Sequence, residues 1–367
     1  MPNNPTRTAS VAVVILNWNG EAMLRRFLPS VLRHSEGAQV VVADNASTDG
    51  SLQLLRTDFP AVRIVALDRN YGFAEGYNRA LRQVDADIYV LLNSDVEVTP
   101  AWLRPLTDYL AAHPECAACQ PKIRQWAEEG DGRRSLFEYA GAAGGFIDRY
   151  GYPYCRGRLF GTVERDAGQY DTVAPVFWAT GAALAIRAAD WHSAGGLDGS
   201  FFAHQEEIDL CWRLRARGRS IVCLPDSVVF HVGGGTLPQG SARKTYLNFR
   251  NNLLLLYKNL PDDELRHVLR VRRLLDMVAA LKELLTFHWQ NFRAIRRARR
   301  DFRRTRRNYD VSRQLNLRLT SLYIIRERAR ASLLWEYYIR GKRTYAEATS
   351  LRPNAEKPID PAKLSAD

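Results

Sequence analysis

Apolar and polar positions in the first third of the chain follow two alternating periods. Val11–Leu16 is an unbroken, largely β-branched apolar run, the pattern of a strand buried on both faces of a parallel sheet. Asn17–Gly20 interrupts it. Glu21–His34 then sets Leu24, Phe27, Leu28, Val31 and Leu32 on one stripe, which predicts a helix. The same reading predicts strands at Val40–Ala43, Val62–Leu67, Ile88–Leu92 and Cys116–Pro121. Helices are predicted at Ser51–Thr57, Ala74–Gln83 and Pro100–Ala112. This alternation argues an α/β fold, a mostly parallel sheet with right-handed crossovers and helices on both faces.

Ligands of such sheets bind beyond the carboxyl ends of the strands. Polar clusters stand at those ends: Asn17/Asn19, Asp44/Asn45/Ser47/Asp49, Asn70/Gly72 and Asn93/Ser94/Asp95. No G-x-G-x-x-G follows the first strand and no G-x-x-x-x-G-K-[ST] occurs, so the usual dinucleotide and P-loop readings lose their support. Asn and Asp suit a base edge and ribose hydroxyls. Asp95, with Asn93 beside it, offers hard oxygen ligands for Mg²⁺ or Mn²⁺ shared with substrate phosphates. Further on, Glu206, Glu207 and Asp209 open a predicted helix behind Phe201 and Phe202. Two readings of these acids stand: helix capping, or a general base whose pKa is raised by crowding and apolar neighbours.

Charge divides the chain. The net +12 comes entirely from residues 261–350, which hold 22 basic and 10 acidic side chains, while residues 1–260 hold 27 of each. The glycine-rich stretch Gly233–Gly240 closes the first part, and a single glycine, Gly341, occurs in 261–350. Leu265, Val268, Leu269, Leu274, Leu275, Val278 and Leu281 recur at helical spacing, and nine arginines follow between Arg293 and Arg307. The expected organisation is a catalytic unit over 1–260, a basic amphipathic helical region over 261–350 and a flexible tail over 351–367. Three uses of the basic region remain open: a helical subdomain packed on the core, a peripheral anchor on an anionic leaflet, and nucleic-acid binding, the last being the least expected. No apolar run approaches the roughly 18–20 residues of a membrane span. Met1–Ser10 also lacks the layout of a signal peptide. The expected location is the cytoplasm, free or peripheral on the inner face of the plasma membrane. Cys116 and Cys119 have C-x-x-C spacing, but no second pair completes a zinc site, so they read as buried strand residues.

Seven segments then occur in a telling order over residues 11–236: VVILNWNG, VVVADNASTDGS, NYGFAEGYNRAL, LLNSDVEVTPAWL, ATGAALAIR, FFAHQEEIDLCWRLRARG and VFHVGGGT. Together they resemble the inverting family 2 glycosyltransferases of GT-A fold, in the rhamnosyltransferase-like group. The resemblance implies that Asn17, Asp44, Asn45 and Ser47 line the base and ribose of a nucleotide-sugar donor. Asn70, Gly72 and Asn78 would shape the phosphate side, with Ser94 beside them. Asp95 matches the last acid of a D-x-D motif and would hold Mg²⁺ or Mn²⁺; Asn93 stands where that motif often begins with Asp. His231 would complete the metal site or is a plain strand-end histidine. Glu207 matches the catalytic base. Trp178, Thr180, Gly181, Glu206 and Asp209 would border the sugar and acceptor, although Trp178 reads equally as core. Gly233–Gly235 would form a lid or a simple turn. The implied reaction moves a sugar, from dTDP-rhamnose first and from a UDP-hexose or UDP-N-acetylhexosamine as the alternative, to a glycan or lipid-linked hydroxyl with inversion, in cell-surface glycan synthesis. The non-enzymatic alternative is a degenerate nucleotide-binding scaffold at the membrane.

Overall fold

The computed structural model describes residues 9–233, 240–320 and 325–353; Gly234, Gly235 and most of the expected tail lie outside them. The first strands form as their apolar runs dictate. Val11–Asn17 (β1) lies between Ala38–Asp44 (β2) and Ile88–Asn93 (β4), parallel to both, and Arg63–Ala66 (β3) extends the sheet beyond β2. Glu21–His34 (α1), Ser51–Asp58 (α2) and Gly72–Leu81 (α3) are the crossovers. Beyond β4 the chain makes the short strand Val96–Val98 (β5), then Arg104–Ala112 (α4) and Cys116–Gln125 (β6). The helix expected from Pro100 begins only at Arg104. Ala101 takes a positive φ of 59°, which turns the chain before helical geometry starts.

A small four-stranded antiparallel sheet follows: Gly145–Ile147 (β7), Pro153–Cys155 (β8), Arg158–Leu159 (β9) and Thr162–Val163 (β10). The chain returns through Ala174–Pro175 (β11) to Ala183–Arg187 (β12), Ala188–Ala194 (α5), Glu206–Ala216 (α6) and Ser220–His231 (β13). The strand order of the nine-stranded sheet is β11-β13-β6-β12-β4-β1-β2-β3, with β5 on β13. The sheet is therefore mostly parallel, interrupted by β12, which inserts antiparallel between β4 and β6. β12 reaches the sheet from its carboxyl edge, without a crossover helix, and so can only run backwards. One apolar cluster on each face covers the sheet. All five cysteines are free and buried, Cys116 and Cys119 among them.

Ala242–Asn259 (α7), Asp262–Leu285 (α8), Trp289–Thr305 (α9) and Asp310–Thr320 (α10) make up the basic third. They are packed on the catalytic unit. Leu265, Val268, Ala329, Leu333, Tyr345 and Leu351 share one apolar cluster with Tyr154, Leu184 and Trp212 from the sheets and α6. Asp148 accepts hydrogen bonds from the Tyr150, Tyr152 and Leu333 amides, clasping the C-terminal segment to the small sheet. Burial pushes the Asp148 carboxyl up to about 6. Among the described residues no helix is long and apolar enough to cross a membrane.

Candidate active site

The polar ends of β1, β2 and β4 meet at one edge because the three strands pair in parallel and in register, Asn17 beside Asp44 and Leu16 beside Asn93. Asn17 is fully buried. Its Nδ2 donates to Asp44 Oδ1 and to Ser47 Oγ, each at 3.2 Å, while its Oδ1 is buried without a partner. Ser47 Oγ also accepts from the Asn19 amide at 2.9 Å. These groups back an open cleft of about 830 Å³ lined by Trp18, Asn19, Gly20, Ser94, Asp95 and the first turns of α1. Of the residues expected at the donor, Ser94 and Asp95 thus face the cleft, and Asn17, Asp44 and Ser47 stand behind its wall. Trp18, which pattern reading passed over, is 44% exposed there. Its signal was a large aromatic where a solvated turn needs none.

Two residues expected at the donor are engaged by the fold. The Asn45 amide ties its loop to the one before α3: Nδ2 donates to Gly72 O and Asn70 Oδ1, and Oδ1 accepts from the Tyr71 amide. With Asn70 Oδ1 accepting from the Gly72 amide, Asn45 and Asn70 hold Gly72 at φ +75° against the Phe202 ring. Only glycine takes that angle freely and leaves room for the ring. Asn78 is likewise occupied, donating to Leu197 O at 2.8 Å and accepting from the Leu197 amide at 3.0 Å. It fixes the chain ahead of α6.

Asp95 and His231 come together through β-pairing, since His231 of β13 lies opposite Val96 of β5. His231 Nε2 is 3.2 Å from Asp95 Oδ1, and Nδ1 is 3.3 Å from Glu138 Oε2. Asn93 Nδ2 lies 3.3 Å from Nε2. Burial by itself would lower the His231 pKa, but the two carboxylates outweigh it and push it up to about 10. Burial would likewise raise Asp95, and His231 together with the Gly233 amide holds it below the ordinary range. Glu138 escaped sequence reading because it is a single acid in a segment without a motif; pairing to His231 is visible only in three dimensions. Among the described residues no group of three or more His, Cys, Asp or Glu side chains forms a metal cage.

The second acid pair behaves differently. Glu206 and Glu207 open α6 in an apolar setting, and Oε2 of each is buried without a partner. Burial pushes Glu207 up to about 7, with nearby amides offsetting only part of it, and burial with the neighbouring Glu207 raises Glu206 as well. A Cβ on Gly181 would sit 3.9 Å from the Glu207 Cβ, and the Asn93 amide donates to Ala182 O. Backbone contacts therefore connect the Glu207 side to the end of β4. Thr180 is buried, with its amide bonded to Gln120 and its hydroxyl to the Ala182 amide.

The turn before α6 is strained. Phe202, His204 and Gln205 have φ of 66°, 70° and 73°, each costing on the order of 1–3 kcal/mol. Asn251 of α7 holds it, Nδ2 facing the carbonyls of Phe201, Ala203 and His204 at 2.8–3.0 Å. Asn252 donates to Gln205 Oε1 at 3.0 Å. Two adjacent asparagines inside a helix, where they are poor formers, were the available signal.

Trp178 and Asp209, expected beside the acceptor, are engaged within the fold, Trp178 in the core place that its sequence equally allowed. Trp178 belongs to the core: it is 3% exposed, its ring packs on Gly145, and Nε1 donates to Phe146 O at 2.9 Å. Asp209 is fully buried and neutralised by Arg213 at 2.9 Å and Lys258 at 2.8 Å. Its role is to tie α6 to α7.

Residues 12–170 match the family model for glycosyl transferase family 2. The chain carries a family 2 glycosyltransferase domain. The chain is 28% identical over 236 residues to N-acetylglucosaminyl-diphospho-decaprenol L-rhamnosyltransferase of Mycobacterium tuberculosis, covering 61% of this chain and 76% of that one. A second relative is the low-salt glycan biosynthesis hexosyltransferase Agl10 of Haloferax volcanii, 23% identical over 257 residues, with 68% and 76% covered. The crystal structure of GalNAc-T7 with UDP, GalNAc and Mn²⁺ superposes with a TM-score of 0.54 at 16% identity, over 70% of this chain and 49% of that one. The glycosyltransferase fold is of GT-A type, with a helical C-terminal region added.

Proposed function

We propose that this glycosyltransferase domain moves a sugar from a nucleoside diphosphate to an acceptor hydroxyl with inversion, Glu207 acting as general base. The observation that carries the reading is a buried carboxylate with a free oxygen and a pKa near 7, poised at the carboxyl edge of the sheet. Such a group takes a proton near neutrality better than an ordinary glutamate. As the acceptor oxygen bonds to the anomeric carbon, its proton passes to Glu207. The anomeric C–O bond breaks and the nucleoside diphosphate leaves from the opposite face.

Asp95 and His231 suit Mg²⁺ or Mn²⁺ held jointly with phosphate oxygens, the arrangement expected where only two protein ligands meet. Bound there, the metal supplies Lewis-acid stabilisation of charge on the leaving diphosphate. Glu138, against the second ring nitrogen, would orient His231, as carboxylates do behind metal-ligating histidines. Trp18 offers an exposed ring for the nucleobase.

The donor is dTDP-rhamnose and the acceptor a lipid-linked glycan. The similarity to N-acetylglucosaminyl-diphospho-decaprenol L-rhamnosyltransferase supports the rhamnosyl group and the lipid carrier, and the choice of the dTDP nucleotide is part of the proposal. Peripheral residence on the cytoplasmic side of the membrane is part of the same proposal. The test is transfer from labelled dTDP-rhamnose, UDP-galactose and UDP-N-acetylglucosamine to a short-chain polyprenyl diphosphate that carries N-acetylglucosamine, whose sugar supplies the acceptor hydroxyl. Product from dTDP-rhamnose alone supports the reading; product only from a UDP-sugar replaces the donor; no product from any donor, with nucleotide binding retained, leaves the scaffold.

A further inference from the structure

The basic third has an inner side that is spoken for and an outer side that is not. In α9 the apolar positions Ala294, Ile295, Ala298 and Phe302 are buried, so past its first turn this helix has no apolar face left to insert. In α8 the inner side is filled by Leu265, Val268, Arg272, Asp276 and Ala280, with Arg299 of α9 paired to Asp276. Yet Leu274, Val278, Leu281 and Leu285, spaced along one helical stripe, are 60%, 65%, 52% and 69% exposed. At the turn of the α8–α9 hairpin the stripe continues into Phe287, 80% exposed, and Trp289, 54% exposed. Six large apolar side chains in one contiguous patch exceed the scattered exposure that any surface shows.

The flank of this patch is strongly cationic. Arg293, Arg296, Arg300, Arg303, Arg304 and Arg307 are all exposed on or just after α9, and Asp301 is the only acid within that helix. An apolar ridge with an aromatic tip beside a dense arginine face matches the layered chemistry of an anionic leaflet, acyl region below and charged headgroups above. A second copy of the chain fits poorly. A two-fold interface sets the same patch against itself, which here brings arginine faces together.

We infer that the α8–α9 hairpin is a membrane-docking surface, its ridge from Leu274 to Trp289 entering the headgroup region of an anionic bilayer and its arginines pairing with lipid phosphates. The hairpin lies on the surface and does not span. The inner helices tie it to the site: α7 packs on α9 and holds the strained turn before Glu207 through Asn251. Docking therefore presents the catalytic edge at a fixed attitude to lipid-linked acceptors, which deepens the proposed function and rests on it for that consequence alone.

The test is sedimentation of the full chain with phosphatidylcholine vesicles, with and without phosphatidylglycerol, beside light scattering and transfer to a water-soluble acceptor. Wild type should sediment with anionic vesicles and stay in solution with neutral ones. Phe287→Ser with Trp289→Ser, and separately Arg296→Glu with Arg300→Glu, should each lower partitioning about tenfold or more and leave soluble transfer unchanged. Wild type that ignores anionic vesicles overturns the inference, as does a dimer that the tip variant converts to monomer, which would assign the ridge to a second copy. Loss of soluble transfer in wild type with sedimentation intact would sink the proposed activity and leave the docking surface standing.

Discussion

Two buried acid clusters stand at the carboxyl edge of the sheet, and their surroundings drive them in opposite directions. Asp95 meets His231 and an amide and is held ionised despite burial. Glu207 meets apolar side chains, another glutamate and only a few amides, and is held near neutrality. Burial is common to both; the difference is a counter-charge. One cluster is therefore built to sit against positive charge, and the other to pick up and release a proton. Carboxylates separated in this way mark divided roles in a single site.

The comparison breaks most visibly at Glu207. Replacing it with Gln keeps the volume and removes the base, so turnover should fall about 10²–10⁴-fold, read in a product-formation assay. Asp95→Ala strikes the other cluster, and there the Mn²⁺-dependent thermal shift given by a nucleoside diphosphate should disappear. Glu138→Ala should weaken Mn²⁺ affinity about 10–100-fold, measured by calorimetry with nucleotide present. Glu138→Gln, which still offers an acceptor to the imidazole, should lose less.

The smallest effects are in pH. Glu207 acts only when deprotonated, so kcat/KM should rise with unit slope up to about pH 7 and level above it. Stability runs the other way. The folded state holds protons on Glu206 and Glu207 at pH values where the unfolded chain has released them. Stability should then decline as pH rises from the ordinary glutamate range towards neutrality, and the decline should flatten in Glu206→Gln with Glu207→Gln. A wild-type melting temperature that climbs across that window would show that another group dominates.

β1 to β4 and β6 were legible because strands buried on both faces leave unbroken apolar runs and crossover helices leave 3.6-residue stripes; the three-residue β5 was read as part of the polar loop after β4. β12 was not, because ALAIR reads the same whether the strand runs forwards or backwards. At the site, the segments placed Asp95 and His231 at strand ends, and the structure brings the two side chains within 3.2 Å of each other. Asn45 and Asn78 were placed at the donor by segment alone, yet their amides are consumed in fixing Gly72 and Leu197. Hydrogen-bond bookkeeping of that kind is not written in residue order. Trp178 and Asp209 have partners that residue order likewise does not show, a glycine for one and a lysine of α7 for the other. The strain at Phe202, His204 and Gln205 also left no trace, since none of them is the glycine that usually signals a left-handed turn.

The division of labour between the two clusters is tested most directly by measuring nucleotide affinity and single-turnover transfer side by side in Glu207→Gln and Asp95→Ala. The account predicts that Glu207→Gln binds the nucleoside diphosphate with Mn²⁺ as wild type does and transfers almost nothing, whereas Asp95→Ala loses both. Wild-type transfer by Glu207→Gln, or loss of nucleotide binding in it as deep as in Asp95→Ala, would contradict the account.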